Sequence, residues 1–244
     1  MPARIVKPWY APAATGVVFS SLAGLASSPT PGTGAESAVI DNSGSLFSRV
    51  RLHGRFCIGS GTLGGAGAIY VFLYPVTASP LGTDAPIGQN RIPQGIDQTL
   101  PRTSPNPTAT FPETMPGVRL VAAVPVSGPG TLLEWTALVA NVPAKFGLFV
   151  RNYCGIALAG DPAVWQPSHS YALGAVTMPA VANGHYYLCI AAGNSGPSEP
   201  VWPTVAAGAT VVDSAVTWLD IGAVAALGSS SNGIVLVGEN DQIA

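Results

Sequence analysis

The chain has 244 residues, long enough for one large domain or two modest ones, each able to bury a core. Charged residues make up 9% of it and hydrophobic residues 48%, with a formal net charge of -2, whereas ordinary soluble domains are about 25% charged. That balance argues against a dedicated nucleic-acid binder, since no Lys/Arg cluster could neutralise several phosphates, and no apolar run approaches the roughly 20 residues of a membrane-spanning helix. A surface largely covered by neighbouring subunits fits better, because charges there would cost desolvation energy.

In chain order, residues 1–35 are expected to form an extended N-terminal arm. Arg4 and Lys7 precede "GVVFSSLAGLASS" (16–28), but Pro8 and Pro12 spoil a signal-peptide pattern. A proline-rich, helix-poor arm needs something to lie against, either its own domain or a neighbouring subunit. Helical periodicity is nearly absent, and what recurs beyond the arm is short apolar runs separated by Gly, Pro, Ser and Asn, which is the pattern of an all-β sandwich or barrel. Strands are predicted at "SRVRLHGRFCI" (48–58), "AIYVFLYPV" (68–76), "VRLVAAVPV" (118–126), "LLEWTALVA" (132–140) and "KFGLFVRNY" (145–153). Residues 36–160 therefore read as a β-sandwich domain. The second strand is apolar on both faces, Ile69, Val71 and Leu73 against Tyr70, Phe72 and Tyr74, so it should be covered on both sides. Residues 77–117 carry prolines every few positions and no alternation, and are expected to form a long loop that straps a subunit or projects from the surface.

Near "LAGDPAVWQP" (158–167) the pattern breaks again, and residues 161–223 read as a small β module. Its β signals are "YALGAVTMP" (171–179), "HYYLCIAAG" (185–193) and "TVVDSAVTWLDIG" (210–222), with Asn183-Gly184 as a turn cue. The tail, 224–244, holds one more strand candidate, Ile234 to Val237, that could pair back onto the first domain.

Motifs for chemistry are sparse. "GSGTLG" (59–64) matches a dinucleotide-binding fingerprint literally, but a strand rather than a helix follows it, so a hairpin loop is the better reading. His53, His169 and His185 have no metal-binding spacing, and there is no GxSxG elbow. The twelve carboxylates are scattered, with no sign of a glycosidase pair. No catalytic residue, cofactor or metal is predicted, and the protein is not expected to be an enzyme. Cys57, Cys154 and Cys189 are too far apart for CxxC chemistry and read as buried reduced thiols. Arg49, Arg51 and Arg55 alternate onto one strand face, solvated or between subunits.

At "AESAVIDNSGSLFSRVRLHGRF" (35–56), "YVFLYPV" (70–76) and "PAKFGLFVRNYCGIAL" (143–158) the chain resembles a family of tailed-bacteriophage virion structural proteins. In that family a "DNS…LF" segment precedes a β-sandwich and a "…WGIVVEN.SG..L" strand comes late; Phe146 stands here where tryptophan is expected. Residues 165–222 are similar to a small module of phage tail and virion proteins, itself similar to chitin- and cellulose-binding modules. The matching positions are Trp165, Tyr171, Gly174, Val176, Tyr187, Gly193, Gly196, Glu199, Pro200, Trp202, Pro203, Asp213 and Trp218. The pattern departs at Ala175, where aspartate is common, and at Ser214, where glycine is expected.

The resemblance implies a jelly-roll-like sandwich behind an N-terminal arm, followed by a sugar-binding-like module. It implies a virion protein assembled in the host cytoplasm, a capsid decoration, cement or head-fibre component. Its partners would be copies of itself and major capsid or other virion proteins, with no nucleic acid and no membrane insertion. The alternative is a tail-associated or receptor-binding protein that recognises host surface glycan. Trp165, Tyr171 and Trp202 are the candidate glycan-binding residues, because a flat ring stacks on a sugar face. Against that, a unit of this size has little but its aromatics to bury. A core role is favoured for Trp218 and Trp202, and for Trp165 the two roles stand level.

Overall fold

The computed structural model describes residues 16–17, 19, 22–29, 34–37, 40–44, 47–78, 84–86, 118–205, 207–223 and 231–239. Among them the chain is all-β, with no helix. The first strands are β1 (Gly16–Val17), β2 (Ala35–Glu36), β3 (Ile40–Asp41), β4 (Arg49–Cys57), β5 (Ala68–Ala78), β6 (Asp84–Pro86), β7 (Arg119–Pro125), β8 (Leu132–Ala140) and β9 (Lys145–Tyr153). There follow β10 (Ala163–Val164), β11 (Ser170–Tyr171), β12 (Val176–Met178), β13 (His185–Ala191), β14 (Gly193–Asn194), β15 (Thr210–Asp213), β16 (Val216–Ala223) and β17 (Gly233–Glu239).

Two antiparallel sheets form a sandwich. One runs β1-β17-β4-β8, and in the other β9 and β5 are central, flanked by β2 and β3 on β9 and by β7 and β6 on β5. Alternation explains the core between them. Val50, Leu52 and Phe56 of β4 and Ile234 and Leu236 of β17 face Ile69, Val71 and Leu73 of β5 and Phe146, Leu148 and Val150 of β9, in one buried cluster. Each such side chain contributes about 1.5–3 kcal/mol on leaving water. Gly54 leaves room for the indole of Trp135 on the neighbouring strand, where any Cβ would collide with the ring. Phe72 and Tyr74, on the opposite face of β5, are buried with Phe149, so this strand is covered on both sides.

The described part of the arm lies on its own domain: Gly16 and Val17 pair with β17, and Phe19, Leu22 and Leu25 enter the sandwich core. The tail strand is longer than the predicted Ile234–Val237 and sits between β1 and β4, pairing with β4 from Arg49 to Arg55. Two expectations change. "GSGTLG" is no hairpin loop, because β4 and β5 lie in different sheets and the glycines carry the chain from one layer to the other. The region from residue 77 is not loop at its start either, since β5 continues to Ala78 and β6 folds back on it. Residues 79–83 and 87–117 of that region, and residues 1–15, 224–230 and 240–244, lie outside the described residues.

The small module is a five-stranded sheet, β10-β12-β13-β16-β15, with β11 and β14 paired beside it. All its pairings are antiparallel except that of β10 with β12. The run predicted at 210–222 is a hairpin, in which Asp213 pairs with Val216 and Ser214 sits at the turn with φ 57°. That left-handed angle is why glycine suits the position. One face of the module packs on the sandwich: Val176, Tyr186, Leu188 and Ile221 share a buried cluster with Cys57 and are joined by Leu132. Beside them Asn232 Oδ1 accepts the Cys57 N–H at 2.7 Å, while its Nδ2 donates to Ala159 O at 2.9 Å. The two units therefore share a buried apolar core, beside which Asn232 ties the tail to the sandwich.

Candidate functional site

The module's other face carries the aromatic residues singled out above. Trp165 follows β10, Tyr171 lies on β11, Tyr187 on β13, Trp218 on β16, and Trp202 comes from the irregular segment between β14 and β15; all five meet in one cluster. Tyr171 meets Trp218 edge-on, with centroids 4.7 Å apart at 79°. Trp202 lies against Tyr187 at 4.3 Å and 35°, and its ring is 5.9 Å from that of Trp218. Edge-to-face and offset pairs of this kind add about 0.5–1.5 kcal/mol each beyond area burial.

A carboxylate organises the cluster. Asp213 is 4% exposed, and its Oδ2 accepts the indole N–H of Trp165 at 2.8 Å and of Trp218 at 3.2 Å. Its Oδ1 accepts the Gly196 N–H at 2.7 Å, which ties down the loop that leads to Trp202. Glu199 does the same at the rim: Oε1 accepts the Trp202 indole N–H and the Ala180 N–H, each at 2.8 Å. Tyr187 Oη donates to Pro203 O at 2.7 Å and accepts from Asn183 Nδ2 at 2.8 Å. Burial is the main cause that raises the Tyr187 phenol above its ordinary range; the bond from Asn183 opposes the shift, and the charge of Asp220 adds to it.

Of the three candidate glycan residues, Trp165 and Tyr171 are each only 7% exposed and present no open ring face to solvent. Burial removes the flat exposed surface that sugar stacking needs. Trp202 is partly buried and keeps an open portion, flanked by the exposed Val201. Sequence alone assigns Asp213 no chemical role; its place in the module pattern, 48 residues from Trp165, is the signal that marks it.

Elsewhere, His185 Nδ1 lies 2.9 Å from Oδ2 of the fully buried Asp220, whose Oδ1 also accepts the Gly222 N–H at 2.7 Å. The three cysteines are free and buried. Burial pushes the Cys57 thiol up to about 12 and that of Cys189 up to about 11, and raises Cys154 as well. Among the described residues no three His, Cys, Asp or Glu side chains gather as a metal site, and no helix is long and apolar enough to cross a membrane. The outer face of β4 carries the arginine row, with Arg51 paired to Glu239 at 2.9 Å and Arg55 to Glu134 at 3.1 Å. A shallow cleft of about 490 Å3 lies over this face, lined by His53, Arg55, Glu134, Thr136 and Val235. Compared with known proteins, the chain matches no protein-family model, no curated protein and no solved structure.

Proposed function

We propose that the protein is a structural component of a bacteriophage virion, a capsid decoration or head-fibre protein that works through subunit contacts on a jelly-roll-like sandwich. The observation that carries this reading is a chain poor in charge with several large apolar side chains exposed on its surface. Leu120 and Leu138 on the sandwich and Val201, Val205 and Val212 on the module stand open in a chain that is 9% charged. Scattered single apolar residues are ordinary on any surface; their combination with so few charges supports surfaces that other subunits cover. The resemblance over residues 35–160 points the same way.

Light scattering on the purified chain, followed by its addition to capsids that lack it, tests the proposal. Saturation at a fixed stoichiometry is expected. Binding to host cells or tails instead of capsids would move the assignment to the second reading, recognition of host surface glycan through Trp202. The open portion of that ring beside Glu199 supports it. Glycan-array binding by the full chain should then vanish in Trp202→Ala while the far-ultraviolet circular dichroism and a cooperative thermal transition are retained.

A further inference from the structure

We infer that β8 is a self-pairing edge, through which two copies join their β4-containing sheets antiparallel about a two-fold axis at Thr136. The inference rests on the subunit-contact reading above and names a surface for it.

β8 pairs with β4 in unbroken register, from Arg49 with Ala140 to Cys57 with Leu132, and no strand follows it in that sheet among the described residues. Every second residue of such a strand turns its N–H and C=O away from the sheet, a template for another strand. Protein edges are ordinarily guarded by lysine, proline or a bulge. β8, "LLEWTALVA", has none of these, and its single charge, Glu134, is held by Arg55. Among the described residues a guard is found only at its end, where Arg119 donates to Ala140 O at 2.8 Å and to Asn141 O at 3.2 Å. The open stretch is Leu133 to Val139, and its midpoint is Thr136.

With Thr136 on the axis the strand is complementary to itself. Thr136 meets Thr136 of the second copy, a favoured cross-strand pair, and no like charges face one another. Trp135 meets Ala137, Leu133 meets Val139, and Glu134 meets Leu138, which is 50% exposed in the single chain. Because Arg51 pairs with Leu138 across β4 and β8, the second copy's Arg51 lies one strand beyond its Leu138. Glu134 is then placed between its own Arg55 and the other copy's Arg51, the latter about 10 Å away at two strand spacings. Opposite charges alternate along that row. A two-fold axis of this kind closes the assembly at two copies through this edge.

The test uses the full chain. Light scattering over a wide concentration range should reach twice the 24.7 kDa of one chain. Thr136→Lys and Thr136→Glu each set like charges face to face on the axis, and each alone should raise the dimer dissociation constant about fivefold or more. A mixture of the two should restore association. Should either charged variant misfold, Thr136→Cys serves instead: oxidation should give a crosslinked dimer, since the native thiols are buried. A wild-type chain that stays monomeric, dimers indifferent to both charges, a mixture no tighter than its components, or a Thr136→Cys chain that forms no crosslink would each overturn self-pairing. A monomer that still saturates capsids would sink the β8 interface and leave the virion reading standing; a β8 dimer that ignores capsids would do the reverse.

Discussion

Asp213 is where one substitution reads the architecture of the module most directly. Asp213→Ala strands three N–H donors, the indoles of Trp165 and Trp218 and the amide of Gly196. Each donor left buried and unsatisfied costs about 1–3 kcal/mol. Removing the carboxylate also relieves its own desolvation, several kcal/mol in a site this dry, so the costs do not simply add. The expected net loss is about 4 kcal/mol for alanine. Asparagine keeps the shape and one acceptor oxygen, but turns an amide donor toward either the indoles or Gly196, so about 2 kcal/mol is expected. Urea unfolding followed by tryptophan fluorescence measures both, and thermal scans should show a fall of about 8–16 °C for alanine. If Asp213→Ala stays within about 1 kcal/mol of the wild type, water or local collapse satisfies the indoles, and the carboxylate does not organise the cluster.

Ser214 holds φ at 57° in the β15–β16 turn, so Ser214→Gly should raise stability by up to about 1 kcal/mol, measured in the same unfolding assay, while a β-branched residue there should lower it. Cys57 should resist thiol reagents in the native state at neutral pH and react only on unfolding, because burial holds its thiol neutral up to about 12. The sign for stability follows: the folded value lies above the unfolded one near 9.0, so the contribution is complete below pH 9 and is lost as pH rises toward about 12. Alkaline unfolding curves of wild type and Cys57→Ala should therefore converge over that window. Since Leu188 and Ile221 are buried in one cluster with Cys57, sandwich and module should melt in a single calorimetric transition. Two separated transitions would contradict the shared core.

Much of the strand layout is written locally. Alternating apolar residues between Gly, Pro and Asn mark Leu132–Ala140 and Lys145–Tyr153 to the residue, and β4, β5 and β7 within a residue or two. The module is less legible because its strands are short: what reads as one run at 210–222 is a hairpin whose turn holds a serine rather than glycine. The site was legible only in part. Composition suggested that aromatics would have to build the module's core, but nothing around Trp165 says that its ring is covered.

Local sequence carries the all-β class, the positions of the long strands and the lack of a cysteine scaffold, because side-chain periodicity and turn chemistry act over a few residues. The rest comes from packing of the whole chain. That packing inserted β17 beside β4, made "GSGTLG" a crossing between layers, and brought Asp213 under two indoles, one of them 48 residues away. Pairing partners and burial depend on which distant segments compete for the same backbone groups and the same apolar surface, and that competition is settled only when the whole chain packs.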